Sequence, residues 1–367
     1  MTEPTNLLFI CSDEHQRAIS GCYGDPLVRT PNLDRLAARG IVYENAYCNA
    51  PLCVPARAAM ATGRYAHAVH SWCNTTGYDG RHAESWGHRL TSQGHHATTI
   101  GKLHYHSESA PTGFPDQRIP MHLKEGRGDV RGLLRERMPP SKGFSKHVGE
   151  AGAGESAYTR YDEGIAAHAT HWLQHEAKGH LKPWTLFVSF LSPHYPLAVP
   201  QRFLDMYPAD RVPLPTLYRR NEWPDHPALA FYRRMRDHDE PYDEPTLRNA
   251  IASYYGLISF IDEQVGKVLH ALEDSGVADR TRILYTTDHG EHLGNHGLWW
   301  KRAFYDTAAA VPLIMAGPGI AASRSRVVTS HVDLFPTIVE TVGAHLTEAD
   351  HDLPGRSLYS LKPDDRR

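Results

Sequence analysis

Asn6-Leu7-Leu8-Phe9-Ile10-Cys11-Ser12, followed at once by Asp13-Glu14-His15-Gln16, is the stretch that decides the fold. A near-continuous apolar run without polar alternation belongs to a strand buried on both faces, as in a parallel sheet covered by helices on each side. Three more runs end in chemistry-bearing residues. Arg282-Ile283-Leu284-Tyr285-Thr286-Thr287 runs into Asp288-His289-Gly290-Glu291, Trp184 to Phe190 runs into Ser192-Pro193-His194-Tyr195-Pro196, and Ala97-Thr98-Thr99-Ile100 delivers Gly101-Lys102-Leu103-His104. Open α/β sheets bind ligands beyond the carboxyl ends of their strands, so neighbouring parallel strands would gather these residues at one edge. Asp13 and Asp288 would then meet, although each acid taken singly would serve equally well to cap the turn after it.

Helical patterns fill the intervals. Thr30-Pro31-Asn32-Leu33-Asp34-Arg35-Leu36-Ala37-Ala38-Arg39-Gly40 reads as a helix with Thr30 as N-cap, Pro31 at its first position and Gly40 as its stop. Another helix-like stretch lies around Ile165 to Leu173. The longest pattern runs from about Pro245 to Asp274, with Leu247, Ile251, Tyr254, Ile258, Ile261, Val265, Val268 and Leu272 at helical spacing and Gly276 closing it. Within Asn49 to Arg64, Pro55 suits a first helical turn and Gly63 a helix end. Cys53 then faces the positive end of the helix dipole, and Arg57, four residues on, rises on the same face to hold an anion beside it. An isolated Cys near an Arg would otherwise be read as a small buried hydrophobe.

The Cys53-x-Pro55-x-Arg57 core followed by Thr62-Gly63-Arg64 resembles the sulfatase signature, in which the Cys is oxidised after translation to Cα-formylglycine. The resemblance runs through most of the chain. Thr30-Pro31-Asn32-Leu33-Asp34-x-Leu36 is similar to a run typical of that family, and Gly101-Lys102-Leu103-His104 is similar to its Gly-Lys-x-His element. Asp288-His289-Gly290 through Leu293-Gly294-Asn295-His296-Gly297 to Lys301 resembles its Asp-His-Gly-x-x-Leu-Gly-x-His-Gly-x-x-x-Lys element. The resemblance implies an alkaline-phosphatase-like α/β sandwich with a large, mostly parallel central sheet flanked by helices, close to the choline-sulfatase and phosphonate monoester hydrolase branch.

What the resemblance implies chemically is hydrolysis of a sulfate monoester to alcohol and inorganic sulfate. Sulfate esters are anionic, so the site needs positive charge around the oxygens and a nucleophile that also releases sulfate afterwards. A hydrated aldehyde does both: one hydroxyl of the Cys53-derived diol attacks sulfur and expels the alcohol, and the second loses its proton, collapses to the aldehyde and ejects sulfate. By the same resemblance a divalent metal is held by Asp13, Asp288 and His289, with modified Cys53 completing the site. Glu14 stands where many sulfatases carry a second Asp. Carboxylate oxygens favour Ca²⁺, Mg²⁺ or Mn²⁺, and an imidazole ligand moves the balance toward Mn²⁺. Arg57, Lys102 and Lys301 would neutralise the transferred group, and His104 and His194 would orient the diol and protonate the leaving oxygen. The alternative reading is a phosphonate monoester hydrolase or phosphodiesterase of the same superfamily; a third is a catalytically silent binding protein with this fold.

Composition is that of a globular chain with a large core: 367 residues, 41% hydrophobic, 39 Lys plus Arg against 42 Asp plus Glu, net charge −3. One catalytic domain over residues 1–367 is expected, with insertions at about 106–158 and 200–243. The first carries Met138-Pro139-Pro140, and the second Arg219, Arg220, Arg233, Arg234 and Arg236, which read as a solvated basic loop. No basic run points to nucleic acid, and no apolar run reaches the length of a membrane span. The five cysteines have neither a zinc-ligand spacing nor an even count for disulfides. Met1 to Thr5 leave no room for a signal peptide, which makes cytoplasmic residence the expectation. Expected partners are a small-molecule sulfate ester and a formylglycine-generating enzyme, with self-association left open. The family's small C-terminal subdomain is expected to be absent, or the sequence to be a fragment.

Overall fold

A computed structural model describes residues 3–129, 143–362 and 365. Eight strands form one sheet: β1 Asn6–Asp13, β2 Gly40–Tyr47, β3 His96–Lys102, β4 Asp116–Met121, β5 Trp184–Pro193, β6 Thr281–Thr287, β7 Leu313–Ala316 and β8 Ser323–Ser330. Their order across the sheet is β8-β2-β7-β6-β1-β5-β3-β4, and every pairing is parallel except those of β7 with β6 and β2. The expected α/β fold with a mostly parallel sheet is what the chain adopts.

The central position of β1 follows from its sequence. All eight of its residues are buried, and Ile10 stands opposite Val188 on one side and Tyr285 on the other. Alternate side chains serve opposite layers. Leu8 and Ile10 pack with Leu33, Ile165, Trp172, Ile261 and Val265, which come from helices α1 Pro31–Ala38, α4 Ala157–His175 and α6 Glu244–Asp274. Leu7 and Phe9 pack with Ala58, Trp86, Leu90, Phe335 and Ile338 from α2 Cys53–Thr62, α3 Trp86–Ser92 and α7 Leu334–Thr341. Burying a Leu, Phe or Ile contributes roughly 1.5–3 kcal/mol, so two such layers hold the strand ends at the sheet's crest in fixed register.

Helix α6 begins one residue before its expected start, capped by Asp243 accepting from the Thr246 N–H at 2.9 Å. It also caps a neighbour. The N–H groups of Asn32 and Leu33 at the start of α1 donate to the Asp262 carboxylate at 3.1 and 2.9 Å, so this side chain on α6 does the work expected of Thr30. Thr30 instead accepts from Gly21 N and donates to Asp34. Gly40 does not stop α1: Arg39 is its C-cap, and Gly40 opens β2.

The described parts of the two expected insertions carry regular structure. Residues 106–158 contribute β4 at the sheet edge and Gly152–Ala153, which pair in parallel with Ala198–Val199; Met138-Pro139-Pro140 lie outside the described residues. Residues 200–243 carry helix α5 Pro227–Met235, and Phe203, Tyr207 and Val212 pack on the Tyr254–Phe260 part of α6. Among the described residues, no helix is long and apolar enough to cross a membrane, and all five cysteines are free.

Candidate active site

Four donor atoms converge at the carboxyl ends of β1 and β6 and the start of α2. Asp13, Cys53, Asp288 and His289 each offer one ligand atom, all within 4.8 Å of one another and all buried. The Cys53 sulfur lies 3.2 Å from His289 Nε2 and 3.9 Å from Asp13 Oδ1, and His289 Nε2 lies 3.6 Å from Asp288 Oδ1.

The orientation of these groups is fixed from behind. Arg57 donates from Nε to Asp288 Oδ2 at 2.8 Å and from Nη2 to Asp13 Oδ2 at 3.2 Å, and the Lys102 ammonium also bonds Asp13 Oδ2. Each carboxylate thus has one oxygen anchored by cations and its Oδ1 turned toward the cluster. His289 Nδ1 lies 3.0 Å from the Gly290 carbonyl, which fixes the ring and turns Nε2 toward the other donors. This donor set fits a divalent cation that accepts carboxylate oxygen and imidazole nitrogen.

Arg57 corrects the sequence reading. It does not stand free beside Cys53 to meet an incoming anion. Only 2% exposed, it also donates from Nη1 to the Lys102 carbonyl at 2.7 Å and to Ser189 Oγ at 2.8 Å, and it does not line the pocket. It is the counter-ion of the two carboxylates.

Glu14 is not one of these four donors but belongs to a second group, with Asp13 and His194, whose donor atoms also lie within 4.8 Å of one another. Its backbone is left-handed, with φ at 69°, its N–H donates to Asp288 Oδ1 at 3.2 Å, and its side chain turns toward Lys301 at 2.8 Å and His194 Nε2 at 3.4 Å. His194 is fixed by its Nδ1, 2.8 Å from the Tyr195 carbonyl. Other left-handed non-glycine residues stand at the same site: His104 at 59°, Trp300 at 67° and Arg302 at 93°. Such backbone costs roughly 1–3 kcal/mol per residue and persists where the surroundings over-determine it.

The electrostatics follow from burial countered by close cations. Burial and the Cys53 sulfur oppose ionisation of Asp13, but Lys102, His194 and Arg57 outweigh them and hold it below the usual carboxylate range. Burial likewise opposes the Cys53 thiolate, while Lys301, Lys102 and His289 pull its ionisation well below that of an ordinary thiol. Burial and nearby lysines push His104 and His194 down to about 4, so both imidazoles are neutral in the free protein.

Above the cluster lies a cavity of about 240 Å³, with Cys53, Lys102, His104, His194 and Lys301 among its lining residues. Residues without a motif complete it. Asn74 Oδ1 accepts from Val54 N at 3.0 Å, bracing the start of α2. Phe144, Tyr195 and Trp300 form an aromatic wall beside Asp129, Arg236 and Arg302. Arg236, read from sequence as part of a solvated basic loop, is buried at 5% exposure, with its guanidinium 4.6 Å above the Phe144 ring. Nothing in the sequence singled it out from Arg219, Arg220, Arg233 and Arg234; Arg302 had only its place beside Lys301.

A mostly parallel sheet thus carries four candidate metal donors and two lysines at its crest, beneath a small pocket. The Sulfatase family profile matches residues 5–344, and the chain belongs to that family. It is 29% identical to a sulfatase of Formosa agariphila over 92% of this chain and 69% of that protein, and 29% identical to a choline-sulfatase of Rhizobium meliloti over 98% and 72%. The solved structure of a phosphonate monoester hydrolase of Agrobacterium radiobacter is similar with a TM-score of 0.75 at 26% identity, covering 97% of this chain and 76% of that one.

Proposed function

We propose that this chain hydrolyses a sulfate monoester to an alcohol and inorganic sulfate, using a formylglycine made from Cys53 and one divalent metal ion. The observation that carries the reading is the convergence of Asp13, Cys53, Asp288 and His289 within 4.8 Å at the floor of a pocket flanked by Lys102 and Lys301. Asp13, Asp288, His289 and the oxidised Cys53 would hold Ca²⁺, Mg²⁺ or Mn²⁺, which supplies positive charge to a sulfuryl oxygen and to the nucleophile. The hydrated aldehyde supplies two hydroxyls on one carbon, one to attack and one to expel sulfate. A formylglycine-generating enzyme is the maturation partner this requires.

The chain's own side chains do the positioning. Lys102, held by Asp13, and Lys301, held by Glu14 and lying 5.4 Å from the Tyr195 ring centre, place two ammonium groups around the sulfuryl oxygens. His104 and His194 are neutral while the pocket is free of substrate. An anionic ester beside them favours their protonated form, which can give its proton to the leaving oxygen.

The similarity to the phosphonate monoester hydrolase keeps a second reading in place, hydrolysis of a phosphonate monoester or phosphodiester at the same site. Both substrates are monoanions, so some cross-reactivity is expected. The test is the ratio of kcat/KM for an aryl sulfate and the matching aryl phosphonate on metal-loaded protein of measured formylglycine content. Sulfate should be favoured; a phosphonate preference of roughly a hundredfold, about 2.7 kcal/mol of transition-state free energy, would promote the second reading.

A further inference from the structure

We infer that Arg236 and Arg302 form a second anion subsite on the pocket wall, so that the preferred substrate is a small sulfate ester whose alcohol part carries its own negative charge. The inference deepens the sulfatase reading and rests on it for the place of the first anion.

The charges of the site separate into two groups. At the floor, Arg57, Lys102 and Lys301 are matched by Asp13, Asp288 and Glu14, which they contact directly. On the wall, both guanidiniums face one carboxylate: Arg236 Nη2 lies 3.2 Å and Arg302 Nη2 3.5 Å from Asp129 Oδ2. Among the described residues, that arrangement sets two guanidinium groups against one carboxylate on the pocket wall. Burial and the nearby charge of Arg302 oppose ionisation of Arg236, as expected where two guanidiniums share one carboxylate. Guanidinium groups also match planar oxyanions with paired donors.

The subsite is built in advance. Arg236 caps α5, its N–H donating to the Tyr232 carbonyl at 3.0 Å, and Arg302 donates its N–H to the Pro51 carbonyl at 3.1 Å from a left-handed backbone. The two segments are tied together: Tyr232 Oη donates to the Trp299 carbonyl at 2.7 Å, and Trp300 Nε1 donates to His238 Nε2 at 2.9 Å. Phe144 supports the Arg236 guanidinium from one side at 4.6 Å. Rigid placement of this kind reduces the ordering cost of binding. The pocket volume of about 240 Å³ falls below the ~300–1,000 Å³ of sites that engulf drug-sized ligands, which limits the alcohol part to a small group.

Two sulfonates that cannot be hydrolysed test the subsite: 4-sulfobenzoate, and its neutral amide isostere 4-carbamoylbenzenesulfonate. Calorimetry on Ca²⁺-loaded protein should show the carboxylate bound at least tenfold more tightly than the amide. The ratio should fall to threefold or less in Arg236→Met and in Arg302→Met, with part of it retained in Arg236→Lys. A ratio below threefold in the unmutated protein, or one that survives both Met substitutions, overturns the inference. Because no turnover is involved, a protein that discriminates as expected yet hydrolyses no sulfate ester would overturn the sulfatase reading and leave the subsite standing.

Discussion

Arg57 bridges Asp13 and Asp288 from beneath, with Nη2 3.2 Å from one carboxylate and Nε 2.8 Å from the other, and so holds two buried carboxylates together. The pairing separates the side chain from the lysines with which it was grouped by sequence. Its work is done on the protein before substrate enters.

Replacing Arg57 by Met should therefore be a stability change first. Removing one partner of a buried charge pair typically costs about 3–5 kcal/mol, and here two carboxylates would be left facing each other. Urea denaturation should show a loss of that size in metal-free protein and a much smaller one in Ca²⁺, because the cation replaces the missing charge. An equal loss with and without the ion would show that Arg57 is not the counter-ion of this pair.

Asp288 and Glu14 should behave differently. Asp288→Ala removes a donor of the four-atom cluster and should abolish metal retention and turnover together. Glu14→Gln leaves the cluster intact but loosens Lys301 and His194; a supporting contact of this kind commonly costs 10–100-fold in activity, and metal content after gel filtration should stay near one ion per chain. Loss of the ion from the Glu14 variant would make Glu14 a direct ligand.

Acid should destabilise the fold through buried neutral histidines. Burial pushes His15 down to about 4, and His238, His292 and His331 each to about 3. A histidine whose folded value lies below its unfolded ~6.5 is protonated first in the unfolded chain, so its contribution is present above pH ~6.5 and is lost as pH falls toward the folded value. Asp162 and Asp262 act the other way. Burial raises both to about 6, so they favour the folded state as pH drops from 6 toward 4. The balance of the six is a loss on the order of 5 kcal/mol between pH 7 and pH 5. Denaturant titrations at the two pH values check it; greater stability at pH 5 would contradict it.

Protein made together with a formylglycine-generating enzyme should yield a Cys53 peptide lighter by the exchange of H₂S for oxygen and reactive toward hydrazides. Turnover should scale with that modified fraction. Equal turnover by wholly unmodified protein would remove Cys53 from the role of nucleophile.

Legibility in the sequence tracked burial and motif. β1, β5 and β6 were readable because each is buried along its whole length, and a continuous apolar run has few other meanings. β4 was not, because all six of its residues are half-buried at the sheet edge and Asp116-Gln117-Arg118 looks like loop. The pairing of β2 with β8 was equally hidden, since β8 exposes Ser323, Arg324 and Arg326. In the site, Asp13, Cys53, Lys102, His104, His194, Asp288, His289 and Lys301 sit in motifs or at the ends of readable strands; Cys53, Lys102, His104, His194 and Lys301 line one cavity, and Asp13, Asp288 and His289 gather at Cys53 beneath it. The direction of Arg57 was misread because helical spacing places it on the face of Cys53 without saying what lies behind that face. Asp129, Arg236 and Arg302 come from three segments that share no pattern, and only the folded chain puts them together.

All ten residues of α2 are buried, and Cys53 is 1% exposed at its first turn. An enzyme that must lay hold of the peptide around Cys53 therefore has a limited time in which to act, between synthesis of the segment and the docking of α2 against the sheet. On the proposed oxidation of Cys53, maturation would be a race between oxidation and folding, and a molecule that folds first would be stranded as the thiol. Slowing synthesis or folding should then raise the active fraction of a preparation, whereas treating finished protein with the oxidising enzyme should leave it unchanged.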